Sequence, residues 1–119
     1  TDPVLTEGQL HGGVAQGIGQ ALMEFVSFDE STGQLLSGSL MDYTLPRAAM
    51  LPNFEATLEG APTKANVLGV KGVGQAGCIA APQTIVHAVL NALSPLKIIH
   101  LDMPLTSQSI WRAISASRA

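Results

Sequence analysis

The segment from Lys71 to Pro82, KGVGQAGCIAAP, places one amide side chain, Gln75, among closely spaced glycines. Its glycines have the spacing G-x-G-x-x-G, which binds a dinucleotide when it joins a strand to a helix. An apolar run precedes the segment, and Asp102 follows at about the distance expected of a ribose-binding acid. A nicotinamide-binding unit is therefore one alternative. It is the weaker one, because the long stretch before Lys71 shows no βαβ pattern and little chain follows Asp102.

A second glycine-rich segment carries two further amide side chains that could contact a ligand, Gln9 and Gln16. Apolar residues recur at helical spacing here, which predicts a helix over Gly8–Phe25 with Thr6 as its N-cap. Each glycine costs a helix interior about 0.8–1.0 kcal/mol relative to alanine. Four lie inside this helix: Gly12, Gly13, Gly17 and Gly19. Tight packing against another element, or close approach to a cofactor, would compensate for that cost.

The remaining patterns predict one α+β domain, residues 1–119, of helices and short strands joined by irregular glycine-rich loops. Short strands are expected in three places: Gln34–Leu40, Phe54–Leu58 and Ile98–Leu101. A second helix is expected with Pro82 in its first turn, where a missing N–H costs nothing. A third is expected after the N-cap Thr106, with three residues in the core: Ile110, Trp111 and Ile114.

Composition limits the classes of function. The chain is 46% hydrophobic and 13% charged, against a usual charged share of about 25%, and its net charge is −3. This predicts a surface covered by other protein, exposed apolar patches, and a fragment that forms homo-oligomers. The sequence has no basic patch, so nucleic-acid binding is not expected. It has no run of 18 apolar residues, so a membrane span is not expected either. The single cysteine, Cys78, predicts a reducing, cytoplasmic location and a buried structural thiol.

Four segments occur in the same order as in one known family: GQLHGGVAQGIGQALMEF, GSLMDYTLPRA, LGVKGVGQAGCIAAP and LDMPLTSQSIWRAI. From about Leu5 to Ala113 the chain resembles the C-terminal part of the molybdopterin-binding large subunit of the xanthine dehydrogenase, aldehyde oxidase and carbon monoxide dehydrogenase-like family. The resemblance implies a C-terminal fragment of a larger molybdopterin-binding domain. It implies molybdopterin with molybdenum, often as the cytosine dinucleotide. It also implies several partners: the remainder of the subunit, iron–sulfur and FAD subunits or domains, and a small aldehyde or heterocycle as substrate.

The resemblance assigns roles to individual residues. Gln9 matches the family glutamine that hydrogen-bonds the pterin. Neighbours expected to let the backbone approach the cofactor are Gly12, Gly13, Gln16 and Gly17. In the family, one loop runs beneath the metal. The residues that match this loop are Lys71, Gly72, Val73, Gly74 and Gly77. Gln75 stands where the family usually has a glutamate, the general base of hydroxylation.

Gln75 leaves the chemistry open. A primary amide can donate and accept hydrogen bonds, but it has no basic form near neutral pH. Three functions are therefore carried forward: a segment of a molybdenum hydroxylase or dehydrogenase with glutamine in place of the catalytic glutamate, a non-catalytic cofactor-binding or assembly module, and the nicotinamide-binding unit. The 119 residues alone are expected to be inactive, since the rest of the pocket would come from elsewhere.

Overall fold

A computed structural model describes residues 2–118. Its main elements are three α-helices: α1 (Pro3–Leu22), α2 (Ala76–Leu93) and α3 (Ser107–Ser117). Single turns of 3₁₀-helix lie at Ala48–Met50 and Ser94–Leu96. Helices α1 and α2 pack against each other, and long irregular segments cover parts of their surface.

Helix α1 begins five residues earlier than the apolar pattern predicts. The Asp2 carboxylate accepts hydrogen bonds from the backbone N–H of Val4 at 3.0 Å and of Leu5 at 3.2 Å, so Asp2 is the N-cap. Pro3 then occupies the first helical position, where its missing N–H and fixed φ favour helix initiation. The prediction of Thr6 as N-cap was wrong: its hydroxyl instead donates to the Asp2 carbonyl at 2.8 Å.

Small residues hold α1 and α2 in close contact. A Cβ atom built on Gly13 would lie 3.0 Å from the Cα of Gly77, and one built on Gly17 would lie 2.5 Å from the Cβ of Ala81. A four-residue step along α1 thus matches a four-residue step along α2, so the helices run parallel. The backbones approach closely because these positions carry no larger side chain.

Three further glycines lie inside α1: Gly8, Gly12 and Gly19. A Cβ on Gly19 would meet Glu24 and lie 2.9 Å from Pro46, whereas one on Gly12 would meet nothing within 4 Å. Packing therefore explains three of the five glycines in α1, whereas Gly8 and Gly12 face open space.

Pro82 does not lie in the first turn of α2, as the sequence suggested. The helix starts at Ala76, and Pro82 is buried inside it. A proline in a helix interior removes a backbone hydrogen bond. Here its ring faces α1, where a Cβ on Gly17 would lie 3.0 Å from Pro82 Cδ. The prediction failed because proline also tolerates a helix interior where the ring packs against a neighbouring element.

The predicted β-strands are the main disagreement in fold class. Within residues 2–118 the β-structure is one isolated antiparallel bridge between Phe28 and Leu35. Neither Phe54–Leu58 nor Ile98–Leu101 forms a ladder there. A strand is defined by hydrogen bonds to a neighbour, and the described residues supply none for these two segments. The described structure is thus mainly helical rather than evenly mixed.

Helix α3 confirms its predicted cap but not its predicted core. Thr106 Oγ1 accepts a hydrogen bond from the backbone N–H of Ser109 at 3.2 Å. Trp111 is nonetheless 65% exposed, while Ile110 and Ile114 are half-buried. The predicted apolar face of α3 is present, but few residues between 2 and 118 pack against it.

The buried core is small and lies along the α1–α2 contact. Its apolar members are Ile18, Ala21, Ala81, Leu93 and Leu105. Leu105 joins this core through a hydrogen bond from its backbone N–H to the Ala21 carbonyl at 2.7 Å. Many large apolar side chains remain exposed, for example Met41 at 93%. The exposed apolar surface predicted from the low charged share is therefore confirmed.

One helix bears on the expectation that the chain has no membrane span. The stretch Ala76–Leu96 is long and apolar enough to cross a membrane by length and composition. It also carries Gln83, His87 and Asn91, and its small residues pack against α1. Most of this helix is nonetheless not buried among residues 2–118.

Candidate cofactor-binding site

The start of α2 lies directly against the α1 turn that carries Gln9. A Cβ built on Gly77 would lie 2.5 Å from the Leu10 carbonyl oxygen and 2.9 Å from the Val14 backbone nitrogen. Gln75 immediately precedes this helix, and Gln9 immediately precedes Leu10. The two glycine-rich segments singled out in the sequence therefore meet at one end of the α1–α2 pair.

Gln75 occupies the N-cap position of α2, but its side chain does not cap the helix. Its backbone carbonyl accepts hydrogen bonds from the Cys78 N–H at 3.2 Å and from Cys78 Sγ at 3.3 Å. The side chain is exposed, and its amide forms no hydrogen bond with any residue between 2 and 118. It therefore remains available to a group outside the described chain, both as donor and as acceptor.

The loop before Gln75 offers a run of unused backbone donors. Among residues 2–118, no main-chain or side-chain acceptor binds the N–H groups of residues 71–75; the next N–H, that of Ala76, donates to the Val73 carbonyl at 3.0 Å. Gly72 and Gly74 face open space, since a Cβ on either would meet nothing within 4 Å. Unpaired N–H groups beside a helix N-terminus suit an oxygen-rich, anionic group. These N–H groups could therefore bind the oxygens of an anionic ligand.

The α1 side of the site presents two exposed amides and one open glycine. Gln9 and Gln16 are seven residues apart, about 10 Å along nearly the same side of the helix. Both are exposed, and neither amide bonds to another described residue. Gly12, between them, has open space in front of it. This surface would admit a planar ligand edge.

Three of the predicted cofactor residues have another role in the structure. Gly13, Gly17 and Gly77 are buried between the helices, in contact with protein atoms. They hold the start of α2 on α1 and so set the position of the loop and of Gln75. Any direct contact of these three glycines with a cofactor remains a prediction.

A cleft of about 640 Å³ adjoins the loop and was not predicted. Thr6 and Leu10 line it from α1, residues 57–62 from the irregular segment, and residues 69–73 from the loop. Lys71 and Glu59 are its charged residues. Residues 57–62 carry no local motif. They are recognised as part of the cleft only because the folded chain brings them close to α1. No sequence signal could have identified this wall.

Cys78 and Asp102, the other candidates from the sequence, differ in their relation to the site. Cys78 is partly exposed rather than buried, and its thiol donates to the Gln75 carbonyl. Asp102, the acid of the nicotinamide hypothesis, is exposed and lies 3.1 Å from His100 Nε2. No pair of parallel strands flanks α2 within residues 2–118, so the βαβ unit that this hypothesis needs is not formed there.

The two groups with clearly shifted pKa values are also remote from the loop. The Tyr43 hydroxyl donates to Glu24 Oε2 at 2.5 Å, and this hydrogen bond raises the pKa of Tyr43. Hydrogen bonds from Ser31 and Thr32 lower the pKa of Asp29 to about 2. Both arrangements hold irregular segments in place: the first ties residue 43 to the end of α1, and the second closes the Asp29–Gln34 turn.

Comparison with known proteins identifies the family of the chain. A family model described as a molybdopterin cofactor-binding domain matches residues 1–52. The nicotine 6-hydroxylase large subunit of Paenarthrobacter nicotinovorans is 38% identical over 112 residues, 94% of this chain. The carbon monoxide dehydrogenase large chain of Hydrogenophaga pseudoflava is 35% identical over 113 residues, 95% of this chain. This chain spans only about 14% of the length of either relative.

A solved structure shows the same fold. Quinoline 2-oxidoreductase from Pseudomonas putida 86 superposes with a TM-score of 0.89 at 38% sequence identity. The match covers 95% of this chain and 14% of that one. The irregular segments thus belong to a fold that occurs inside much larger subunits.

Proposed function

Because the chain belongs, as a segment, to the molybdopterin-binding large subunits of the xanthine dehydrogenase, aldehyde oxidase and carbon monoxide dehydrogenase family, we propose that it forms one wall of a molybdenum cofactor site. Helix α1 would supply pterin contacts, and the loop at the start of α2 would pass the reacting centre. The observation that carries this proposal is the contact of Gly77 with the Leu10 carbonyl, which joins the two segments.

Three kinds of group in this chain would hold the cofactor. The amides of Gln9 and Gln16 would donate to and accept from the polar edge of the pterin. The N–H groups of residues 71–75 would bind anionic oxygens. When bound, the cofactor supplies the two-electron oxidation–reduction chemistry, and the protein supplies binding and orientation. We take the cofactor to be molybdopterin, in its cytosine dinucleotide form.

Gln75 would act as an orienting residue rather than as a base. Its amide can hold a reacting oxygen by a hydrogen bond, but it cannot accept a proton near neutral pH. A general base typically contributes about 10²–10⁴-fold to the rate. A subunit with Gln75 would therefore bind the cofactor and turn over slowly. The substrate class proposed is a small aldehyde or heterocycle, and electrons would leave through iron–sulfur and FAD partners.

The same residue favours a second candidate function, a non-catalytic cofactor-binding or assembly module. Such a module would keep the pterin contacts of Gln9 and Gln16 but lack turnover altogether. Matched molybdenum content with no turnover on aldehydes and heterocycles, both before and after Gln75→Glu, would favour it. Binding of NAD with neither molybdenum nor pterin would overturn both candidates.

The test of cofactor binding is Gln9→Ala in a full-length large subunit that carries this chain. We expect molybdenum and pterin content to fall severalfold, because a hydrogen-bonding amide is lost from the site. The control is Gln20→Ala, since Gln20 is an exposed glutamine on nearly the same side of α1, about 16 Å farther along. Metal analysis and fluorescence of the released pterin measure both. Equal cofactor content in the two variants and the native subunit would contradict the proposed role of α1.

A further inference from the structure

The segment from Pro52 to Thr63 contains the predicted strand Phe54–Leu58, which has no partner strand among residues 2–118. It runs without an assigned turn or bend. Between residues 52 and 62, no backbone N–H or C=O forms a hydrogen bond with any of residues 2–118. Main-chain groups in folded proteins are nearly always paired with protein or water. A run of unpaired main-chain groups offers an edge to which another chain segment can add.

Side chains within this segment alternate as a half-buried strand requires. In an extended strand, Phe54, Ala56 and Leu58 would fall on one face, and Glu55, Thr57 and Glu59 on the other. The apolar face is partly docked on α1, since the Phe54 ring lies 5.5 Å, centroid to centroid, from the His11 ring. The segment is thereby held beside α1, and its two hydrogen-bonding edges are left unpaired by the described chain.

Charge argues against a second copy of the chain as the partner. Parallel pairing in register would set each of Glu55 and Glu59 against its own copy. Antiparallel pairing centred on Thr57 would set Glu55 opposite Glu59. Like charges directly opposite each other destabilise a strand pair. The better partner is a strand with basic or neutral polar residues opposite the two glutamates.

We propose that Phe54–Leu58 pairs with such a strand from the portion of a full-length large subunit that this chain does not span. The chain covers about 14% of the length of its relatives, so most of such a subunit lies elsewhere and can supply the strand. The segment would then complete a sheet beside the cleft that adjoins the Lys71–Gln75 loop. This inference depends on the proposed function in one respect, namely that the partner strand comes from the rest of a full-length large subunit.

Hydrogen exchange tests the pairing directly. The amides of residues 54–58 should exchange at least about a hundredfold more slowly in the full-length subunit than in the 119-residue chain, because pairing protects them. The Leu105 amide, already bonded to Ala21, is the internal reference for a folded chain. Fast exchange of residues 54–58 in the full-length subunit, with Leu105 protected, overturns the proposal. Protection that grows with the concentration of the 119-residue chain indicates self-pairing and also overturns it.

Two proline substitutions give an independent test in the full-length subunit. Successive N–H groups of a strand point to opposite edges, so Ala56→Pro and Thr57→Pro each remove a donor from a different edge. At least one should lower the protection of its neighbours at least tenfold. The control Thr57→Val keeps its N–H and should not do so. Unchanged protection in both proline variants contradicts the pairing.

Molybdenum and pterin content of the same preparation separates the two proposals. Fast exchange of Phe54–Leu58 in a subunit loaded with cofactor rejects the strand pairing and leaves the proposed function standing. Slow exchange in a subunit that binds neither molybdenum nor pterin supports the strand pairing and rejects the proposed function.

Discussion

The close contact between α1 and α2 predicts that one methyl group at Gly17 destabilises the chain. A Cβ there would lie 2.5 Å from Ala81 Cβ and 3.0 Å from Pro82 Cδ, whereas ordinary contacts begin at 3.4 Å. The helices would have to separate by about 1 Å. Overpacking of this kind costs about 1–3 kcal/mol, and the upper part of that range applies because Pro82 is rigid. Replacing glycine in a helix returns about 1 kcal/mol. We expect Gly17→Ala to lose about 1–2 kcal/mol of stability.

The matched control is Gly8→Ala in the same helix. A Cβ on Gly8 would meet nothing within 4 Å, so only the helix propensity changes, and a gain of up to about 1 kcal/mol is expected. Urea unfolding of the 119-residue chain, followed by circular dichroism, measures both variants at constant m-value. The double variant Gly17→Ala/Ala81→Gly should show favourable coupling, since it removes one of the two colliding methyl groups. Equal stability of Gly17→Ala and Gly8→Ala would refute the packing account.

Two pH titrations test the contacts outside the site. Tyr43 is the only tyrosine, and its raised pKa favours the neutral phenol. Its stabilising contribution is therefore present below the usual value of 10.0 and lost as pH rises through the folded pKa. Glu24→Gln should return the pKa toward 10.0, measured by tyrosinate absorbance, and an unchanged titration would contradict the Glu24 contact. The Asp29 carboxyl has its pKa lowered to about 2, so the turn should keep its hydrogen bonds above about pH 4 and lose them toward pH 2. Amide exchange of Ser31 and Thr32 checks this, and protection that persists in Asp29→Ala would count against it.

The sequence predicted the helices well where the start or the course of a helix depends only on nearby residues. The Thr106 cap and the helical pattern after Gly8 are examples, because each depends on neighbours only a few residues away. The Asp2-Pro3 start has an equally local signal, an N-cap residue followed by proline, but it precedes the apolar pattern from which the helix was predicted. Among the site residues, the meeting of the Gln9 and Gln75 segments followed from the family resemblance and not from residue spacing.

Long-range contacts limited the rest of the prediction. Pro82 was predicted in the first turn of α2 because the residue that its ring packs against, Gly17, is 65 positions away in the sequence. Such a contact cannot be seen in the residues around Pro82. Trp111 was placed in a core that the described residues do not supply. The strand pattern of Phe54–Leu58 was recognised, but whether a strand forms depends on a partner that the pattern itself does not contain. Residues 57–62 line the cleft but were not predicted to do so, because their place there depends on contacts with distant parts of the chain.

The substitution Gln75→Glu, made in a full-length subunit, tests the central claim most directly. Glutamate and glutamine have nearly the same size, so packing at the exposed start of α2 should survive, while only the carboxylate can act as a base. The measurement is steady-state turnover of aldehyde and heterocycle substrates at matched molybdenum content, with Gln20→Glu as a control for added charge. The account predicts turnover about 10²–10⁴-fold higher in Gln75→Glu, unchanged molybdenum content, and no such gain in Gln20→Glu. Equal, full activity of the native and Gln75→Glu subunits would contradict the placement of Gln75 at the reacting centre.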